Sequence, residues 1–373
     1  MKTFTRDDLQ TLLALHEGPC VSLYIPTERG LAAGPANHLA FKNGVKTAER
    51  HLNGSPNAAK VLARLNEFDA ATNWGELRGT LCVFASHDFF ESFAVAESLP
   101  IQTEVAGTFL TRPLVKHLQD QVRYYVLSLS KENITLLEGT NGSLDPVRVP
   151  GMPRGMREFQ THHINHGTSH RFSSGSGMGA GHGGSEFDHE KEDMKALFKA
   201  VDRALIPITH GHRNPLILAT FHHYSGTFHD VSKNPSLMEE SIDGDPTKMT
   251  RDVLRERALA ILSPHRQAAL SHLAEQYKVA VERRRGTNYI PSIAKSALSG
   301  RVATLLVEDG RRIVGQIDRT TGEVPVMSGR PQAEGQDLID EVAELVLGTS
   351  GSVYVLPKEL MPTDSGVAAI LRY

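Results

Sequence analysis

The chain of 373 residues contains only two cysteines, one tryptophan and no long apolar run. Cys20 and Cys82 each lie in an apolar stretch, without a second cysteine at the spacing of a zinc or redox motif, so we expect buried structural thiols. No run approaches the about 18 apolar residues of a membrane span, and the N-terminus lacks the apolar core of a signal peptide. We therefore expect a cytoplasmic protein with no membrane partner.

Neither sign of charge predominates, since 40 Lys and Arg stand against 43 Asp and Glu and the formal net charge is −3. This balance excludes nucleic-acid binding through a globally basic surface, so RNA contacts must come from local patches, and we expect no DNA partner. One basic run, Arg283-Arg284-Arg285, closes a predicted helix. Cations at that position also suit the helix dipole, which gives the run a plain structural explanation.

The motifs of common enzyme classes are missing or out of context. The sequence has no GxxxxGK[ST] phosphate loop and no GxSxG elbow centred on a serine. The pattern GxGxxG occurs once, at residues 179–184, but a polar glycine-rich stretch precedes it where a dinucleotide fold requires a strand. We therefore expect no nucleotide or other cofactor.

Strand-like apolar runs alternate with helical periodicity along the chain, which predicts an α/β fold. Thr5 and Asp8 form the pattern of a capping box at the first helix. We predict three α/β domains, at residues 1–112, 113–235 and 236–373. In the third domain Pro264 separates two predicted helices, over 251–262 and 266–285.

A loop rich in glycine, serine and histidine is predicted at residues 160–190, where seven glycines leave little side chain to bury. Polar loops of this length in compact domains are usually functional or disordered. The loop precedes a predicted helix over about 187–205, whose apolar stripe is Met194, Leu197, Phe198, Val201 and Leu205.

Histidines offer a second interpretation of this region, because eleven of the eighteen lie between His162 and His229. The spacing of His162, His166 and His170 would place three imidazoles on one face of a helix, as in some zinc sites. Gly167, Thr168 and Ser169 interrupt such a helix, however, and no cysteine ligand lies nearby. We predict no metal site, while a hydrolase or metal-binding protein that uses these histidines remains an alternative.

Arginines flank the same loop and suggest a third interpretation. Arg154, Arg157 and Arg171 lie around it, and Glu158 is the one acid among them before Glu186. A flexible segment edged with arginine and histidine is compatible with approach to RNA phosphates.

Several stretches, in order along nearly the whole chain, resemble a known family: bacterial relatives of archaeo-eukaryotic peptide-chain release factors and of the ribosome-rescue factor Pelota, in the branch called family three. The matching stretches are PCVSLYIPT and AFKNGVKTAE, then YYVLSLSKENITLLEG, HGGSEFDHEKEDMKALFKAVDRAL and PLILATF, and finally AKSALSGRVATLLVE, SVYVLP and GVAAILRY.

The resemblance implies three α/β domains, the third similar to the α-β-α ribosomal-protein fold that binds kinked RNA. In release factors a loop ending in Gly-Gly-Gln reaches the peptidyl-transferase centre just before a long helix. Gly183 and Gly184 stand at the matching positions here, while Ser185 replaces the glutamine. The resemblance thus implies a degenerate catalytic tip, with Arg157, Arg171 and His182 as candidate RNA contacts.

The function expected from this resemblance is that of a ribosome-associated factor of the rescue, hibernation or release-like type, with rRNA and peptidyl-tRNA as partners. The N-terminal region lacks the stop-codon-reading motifs of the eukaryotic factors, so we expect codon-independent action. A non-catalytic RNA-binding protein that uses its third domain is a further alternative.

Overall fold

The computed structural model describes residues 2–14, 18–28, 30–165, 186–209, 214–325 and 336–373. The chain divides into two compact units, of which unit 1 comprises Met1–Asp120 with Gln267–Tyr373 and unit 2 comprises Gln121–Arg266. The described strands form two five-stranded sheets, one four-stranded sheet and one two-stranded ribbon, and helices pack against the larger sheets. The α/β class predicted from the sequence is confirmed.

The first part of unit 1 is a sheet with helices on both faces. Its elements are β1 (Lys2–Thr3), α1 (Arg6–Leu12), β2 (Cys20–Thr27), α2 (Gly34–Leu52), α3 (Ala58–Ala71), β3 (Gly79–Ala85), β4 (Phe90–Val95), β5 (Gln102–Ala106) and α4 (Arg112–Asp120). The strand order is β1-β4-β3-β2-β5. Apolar residues of β2 and β3 pack against α2 and α3 on one face. The predicted capping box of Thr5 and Asp8 is confirmed at the start of α1.

Unit 2 contains a second mixed sheet, with strand order β10-β9-β6-β7-β8. Its elements are β6 (Tyr124–Leu129), β7 (Ile134–Gly139), β8 (Leu144–Val147), α5 (Met156–Asn165), α6 (Glu186–Thr209), β9 (Leu216–Thr220), α7 (His222–Val231) and β10 (Leu237–Asp243). Helices α5, α6 and α7 contribute to a core on one face of this sheet.

The last part of the chain completes unit 1 with a sheet of order β11-β16-β12-β15. Helix α8 (Arg251–Glu282) belongs to unit 2 up to Arg266 and to unit 1 from Gln267. The elements that follow are β11 (Gly286–Thr287), α9 (Ile290–Leu298), β12 (Val302–Glu308), β13 (Val314–Gly315), β14 (Gln336–Asp337), α10 (Leu338–Gly348), β15 (Ser352–Leu356) and β16 (Val367–Leu371). Leu305 and Val307 pack with α9 and α10, whereas Leu306 packs with Tyr277 of α8. Alternation along β12 therefore places helices on both faces, in the predicted α-β-α arrangement.

The first and last segments of unit 1 share one hydrophobic core. Phe84 and Phe109 from the first segment lie in the same buried cluster as Ile339 and Val342 of α10. Cys20 and Cys82 also lie in it, unpaired, as the sequence predicts. Burial raises the pKa of the Cys20 thiol to about 12 and raises the pKa of Cys82 still further above its ordinary value.

Two sequence-based expectations about individual elements differ from the structure. Helix α8 runs unbroken through Pro264, because Pro264 is exposed and the missing N–H releases only the exposed carbonyl of Ala260. The predicted loop at 160–190 begins too early, since 160–165 are helical in α5, whereas the helix predicted from about residue 187 is confirmed by the start of α6 at Glu186. No glycine or proline occurs between 156 and 166 to end the first of these helices.

The predicted domain limits also differ from the observed grouping of the chain. The limit after residue 235 assigns Leu237–Asp243 to the third domain, but this strand, β10, pairs in parallel with β9 of unit 2. Of the segment predicted as the third domain, the part from Gln267 onward packs with the first segment in unit 1, and the part before it belongs to unit 2. The division into three separate domains, at residues 1–112, 113–235 and 236–373, remains a prediction. Among the described helices, none combines the length and apolarity that crossing a bilayer requires.

The glycine before α5 generates the first testable prediction. A Cβ at Gly155 would lie 2.5 Å from the backbone oxygen of Glu132, whereas a Cβ at Gly226, inside α7, meets nothing within 4 Å. We expect Gly155→Ala to lower the free energy of unfolding by about 1–3 kcal/mol through overpacking. Gly226→Ala should be neutral or should stabilise by up to about 1 kcal/mol. Urea denaturation of both variants checks this, and equal stability of Gly155→Ala and wild type would contradict the close packing.

Candidate functional site

Only one of the predicted site residues lies in the described part of the chain. Arg157 is exposed in the first turn of α5, where its carbonyl accepts a hydrogen bond from Thr161 Oγ1 at 2.8 Å. Gly183, Gly184, Ser185, Arg171 and His182 lie outside the described residues. The site is therefore built from the elements on either side of residues 166–185.

Two helices of unit 2 hold the ends of that segment. Helix α5 ends at Asn165 and α6 begins at Glu186, and both bury apolar side chains in the same core. From α5 these are Met156 and Phe159. The stripe predicted for α6 is confirmed, since all five of its residues are buried: Met194, Leu197, Phe198, Val201 and Leu205. Residues 166–185 thus start and finish on helices fixed by one core.

The connection from β8 to α5 is fastened to the turn between β6 and β7. The N–H of Ile134 donates to the carbonyl of Arg154, and the N–H of Met156 donates to the carbonyl of Lys131, both at 2.8 Å. Gly155 lies between these bonds, with no room for a side chain. These contacts fix the backbone that carries Arg154 and leads into α5.

A groove of about 860 Å³ lies along this connection. Its lining combines apolar side chains with charged ones and includes Val147, Arg148, Met152, Arg154, Glu158 and Phe159. The carboxylate of Glu158 accepts a hydrogen bond from the N–H of Arg154 at 2.8 Å, so one acid is engaged at the backbone there.

Three exposed arginines lie on this side of unit 2, two of them in the groove and Arg157 beside Glu158 on α5. Across the ranges that the structure describes, the guanidinium groups of Arg148, Arg154 and Arg157 form no ion pair or hydrogen bond. A guanidinium offers five N–H donors in a planar fork that fits phosphate or carboxylate oxygens. We call these three residues the groove arginines.

Arg148 was absent from the candidates drawn from the sequence. The stretch VRVPGMPRG carries two prolines and one glycine between its arginines and a second glycine directly after them, which marks a fixed connection rather than a strand or helix. This composition is the signal that could have paired Arg148 with Arg154. Their common position on one groove depends on the bonds to the β6–β7 turn, which no local pattern reveals.

The histidine interpretation receives a partial test. Among the residues that the structure describes, no group of three or more His, Cys, Asp or Glu side chains has an arrangement that could hold a metal ion. His229 instead lies 3.3 Å from the hydroxyl of Ser241 through its Nε2. The side chains of His162, His166 and His170 lie outside the described part, so their role stays a prediction.

Three carboxyl groups with strongly raised pKa values lie in unit 1, where α10 meets the end of the first segment. Backbone N–H groups of Thr111 and Arg112 donate to the carboxylate of Asp340 at 3.2 and 2.8 Å, which caps the start of α4. The Arg112 guanidinium pairs with Asp337 at 2.9 Å. Glu341 accepts a hydrogen bond from the N–H of Ile317 at 2.9 Å.

Further arginines compensate the remaining acids of this cluster. Arg312 forms a bidentate pair with Glu104, at 2.7 and 3.0 Å, and Arg319 pairs with Glu344 at 2.5 Å. The contacts of Asp340 and Asp337 with Arg112 and of Glu104 with Arg312 join the first and last segments of unit 1, whereas the contacts of Glu341 with Ile317 and of Glu344 with Arg319 lie within the last segment. Perturbed titration can mark an active site, but here it accompanies structural pairing.

Burial is the main cause of the perturbed titration in this cluster. It raises the pKa of Glu341 to about 7, against the lowering effects of the Ile317 N–H and of Arg319. It also raises the pKa of Asp340 and of Glu344 above their ordinary values, although Arg112 and Arg319 respectively favour the charged forms. The protonated form of Glu341 is therefore populated near neutral pH.

The described architecture is that of an α/β protein whose middle sheet supports a groove with arginines and a glycine-rich segment between two helices. Residues 123–301 match the family described as bacterial archaeo-eukaryotic release factor family 3. This match confirms, for that segment, the resemblance drawn from the sequence. No curated protein matches the sequence.

Solved structures with similarity to this chain are release factors and Pelota-type proteins. An archaeal translation termination factor, aRF1, has 14% identity and a TM-score of 0.23, with coverage of 100% of this chain and 99% of that one. Pelota from Archaeoglobus fulgidus has 12% identity and a TM-score of 0.35, over 100% and 94%. Dom34 from S. cerevisiae has 12% identity and a TM-score of 0.38, over 79% and 74%. All three TM-scores are below 0.5, so the similarity to the release-factor family rests on the match over residues 123–301.

The buried carboxylates predict a pH-dependent stability. Because the folded-state pKa of Glu341 is about 7 against an ordinary 4.5, the folded protein holds a proton that the unfolded chain has released. This contribution is present below about pH 4.5 and is lost as the pH rises through about 7. We expect the melting temperature to fall between pH 5 and pH 7.5, as thermal unfolding across this range would show.

Glu341→Gln should flatten this dependence, because the amide imitates the protonated side chain at every pH. Glu359→Gln is the matched control, since Glu359 is exposed and lies outside the cluster. An equally steep pH dependence in Glu341→Gln and in the control would argue against the carboxylate as its source.

Proposed function

We propose that this protein is a ribosome-associated translation factor of the rescue, hibernation or release-like type that acts without reading a codon. It would occupy the tRNA-accepting site and direct residues 160–190 toward the peptidyl-transferase centre. The observation that carries the proposal is the family match over residues 123–301, which spans the segment, both flanking helices and the groove arginines.

Unit 2 has the construction that such a role requires. A segment that extends toward the peptidyl-transferase centre needs rigid elements at both of its ends. Both α5 and α6 pack in the core of the second sheet. The groove arginines lie beside α5 and carry charges that no described acid neutralises. Phosphates of rRNA or of peptidyl-tRNA would supply the counter-charge.

Release of a peptide requires a water molecule placed against the ester carbonyl and a donor for the developing oxyanion. The water oxygen bonds to the carbonyl carbon, the ester C–O bond breaks, and the tRNA 3′ oxygen leaves with a proton. Gly183 and Gly184 would give the backbone its freedom at the tip, and Ser185 keeps a backbone N–H donor while it lacks the long amide of glutamine. We therefore propose weak hydrolysis as the leading activity.

A second candidate is occupancy of the ribosome without hydrolysis, as in hibernation. The serine at position 185 favours it, because the residue that shapes the water site in the resembling release factors is replaced. Both candidates require docking on the ribosome, so the first experiment tests docking and the second distinguishes the two.

Docking is tested by co-sedimentation with ribosomes at several salt concentrations. We expect wild-type protein to bind at low salt and the triple variant Arg148→Gln, Arg154→Gln, Arg157→Gln to bind about tenfold or more weakly, because it loses up to three phosphate contacts. Lys42→Gln, Lys46→Gln, Arg50→Gln removes three exposed charges from α2 and is the matched control. No sedimentation of wild-type protein, or equal losses in the two triples, would contradict the proposal.

Hydrolysis is tested by the release of labelled peptide from stalled ribosomes. We expect slow release by wild-type protein, a rate increase of about tenfold or more in Ser185→Gln, and a loss of release in Gly184→Ala. Ser176→Gln places the same side chain elsewhere in the segment and should behave as wild type. If wild-type protein and Ser185→Gln both bind ribosomes without release, occupancy is the function.

A further inference from the structure

The run Arg283-Arg284-Arg285 lies at one end of the third sheet, with two more arginines beside it. The N–H of Leu371 donates to the carbonyl of Arg285, and the N–H of Arg372 donates to the carbonyl of Arg301, both at 2.8 Å. These bonds place the start of β11, the end of β16 and the start of β12 side by side. We call Arg283, Arg284, Arg285, Arg301 and Arg372 the arginine end.

The backbone at the end of α8 fixes the position of the run. The N–H of Arg284 donates to the carbonyl of Val281 at 2.9 Å, and the N–H of Arg285 donates to the carbonyl of Ala280 at 2.8 Å. Arg284 itself adopts a left-handed conformation, with φ of 58°. Neighbouring strands are about 4.8 Å apart, so Arg285, Arg301 and Arg372, each one residue beyond the end of a strand, lie within about 10 Å of one another at the backbone.

The positive charge of the arginine end is largely uncompensated. Within the described ranges, Arg283, Arg284 and Arg285 have no ion pair and no side-chain hydrogen bond. Arg372 donates to the carbonyl oxygens of Thr349 and Ser350, at 3.3 and 2.9 Å, which positions its guanidinium without neutralising it.

One acid is close to this set in the sequence, the exposed Glu282 at the end of α8. Arg301 bonds a hydroxyl, that of Ser296 at 3.3 Å. Five like charges with so little opposite charge repel one another, and a polyanion that displaces their counterions relieves this repulsion. Helix capping explains a single cation at the end of α8 but not the arginines that directly precede or follow three adjacent strands.

An aromatic ring lies next to these charges. Tyr373 follows Arg372 directly, and 75% of its surface is exposed. Arginines that contact phosphates, together with an exposed aromatic ring on which a base can stack, are the combination that binds single-stranded nucleic acid. Acidic protein surfaces offer carboxylates but no bases for such stacking.

We propose that the arginine end, with Tyr373, binds a single-stranded segment of RNA. Guanidinium groups contact successive phosphates, and the tyrosine ring stacks on a base of the same strand. This surface lies in unit 1 and uses no residue of the groove arginines or of residues 160–190. It therefore goes beyond the proposed function and can be tested separately from it.

The test is binding of the full-length protein to a labelled single-stranded oligoribonucleotide of about 12 nucleotides, measured by fluorescence anisotropy over a range of salt. We expect Arg283→Gln, Arg284→Gln, Arg285→Gln to lower the affinity about tenfold or more and to reduce the slope of log K against log salt by up to about 2. The α2 triple variant described above removes the same charge elsewhere and should keep the wild-type affinity and slope.

Tyr373→Ala separates stacking from charge. It should weaken binding about fivefold or more while the salt slope stays unchanged, because no phosphate contact is lost. The melting temperature of each variant should equal that of the wild-type protein, which verifies that the fold is intact. Glutamine at position 284 is no more strained at positive φ than arginine, since both carry a Cβ.

Two outcomes would overturn the inference: equal losses in the two triple variants, which indicate an effect of net charge, or wild-type affinity in the arginine variant. The result is distinguishable from that of the ribosome experiment. Wild-type protein that binds the oligoribonucleotide but does not sediment with ribosomes contradicts only the proposed function. If the wild-type protein sediments with ribosomes but its affinity for the oligoribonucleotide does not depend on the arginine end, only this inference is contradicted.

Discussion

The contact between Asp340 and the first turn of α4 joins residues 228 positions apart in the chain. Asp337, three residues earlier, pairs with Arg112 at the same place. Unit 1 depends on these bonds, because they hold the first and last segments together around one core. Removal of one partner would leave an uncompensated buried charge, at a cost of about 3–5 kcal/mol. In the sequence, unit 1 is interrupted after Asp120 and resumes at Gln267, so the residues of unit 2 form an insertion between the two segments of unit 1.

Local patterns predict much of the secondary structure because their physical cause is local. The Thr5–Asp8 capping box and the apolar stripe of α6 depend on residues three or four positions apart, and both are present. Pro264 led to a wrong prediction of a helix break, because the local rule counts only the hydrogen bond that proline cannot donate. In α8 the released carbonyl is exposed to solvent, so the lost bond costs little and the helix continues. The limit at residue 236 failed to include β10 in the second sheet because strand pairing is set by distant neighbours.

The candidate site was only partly predictable from the sequence. Composition pointed to residues 160–190 and to Arg154 and Arg157 beside them. Arg148 joins these two through a connection whose shape depends on hydrogen bonds to residues 131 and 134. The acidic cluster of α10 gave no sequence signal, since its arginine partners come from other parts of the chain. The acidic cluster also explains why the net charge of the chain does not predict the charge of its surface. Several acids are buried partners, while arginines at the groove and at the third sheet are accessible to solvent.

The burial of the two native thiols has a practical consequence for the study of residues 160–190. Cys20 and Cys82 are enclosed in the core of unit 1, where desolvation suppresses the thiolate that maleimide and iodoacetamide reagents attack. The two native cysteines of the folded protein should therefore not react with thiol-labelling reagents. A fluorophore or spin label on one introduced cysteine, as in Ser185→Cys, would report from the proposed tip alone. Distances to a ribosome-bound label could then be followed without removal of either native cysteine.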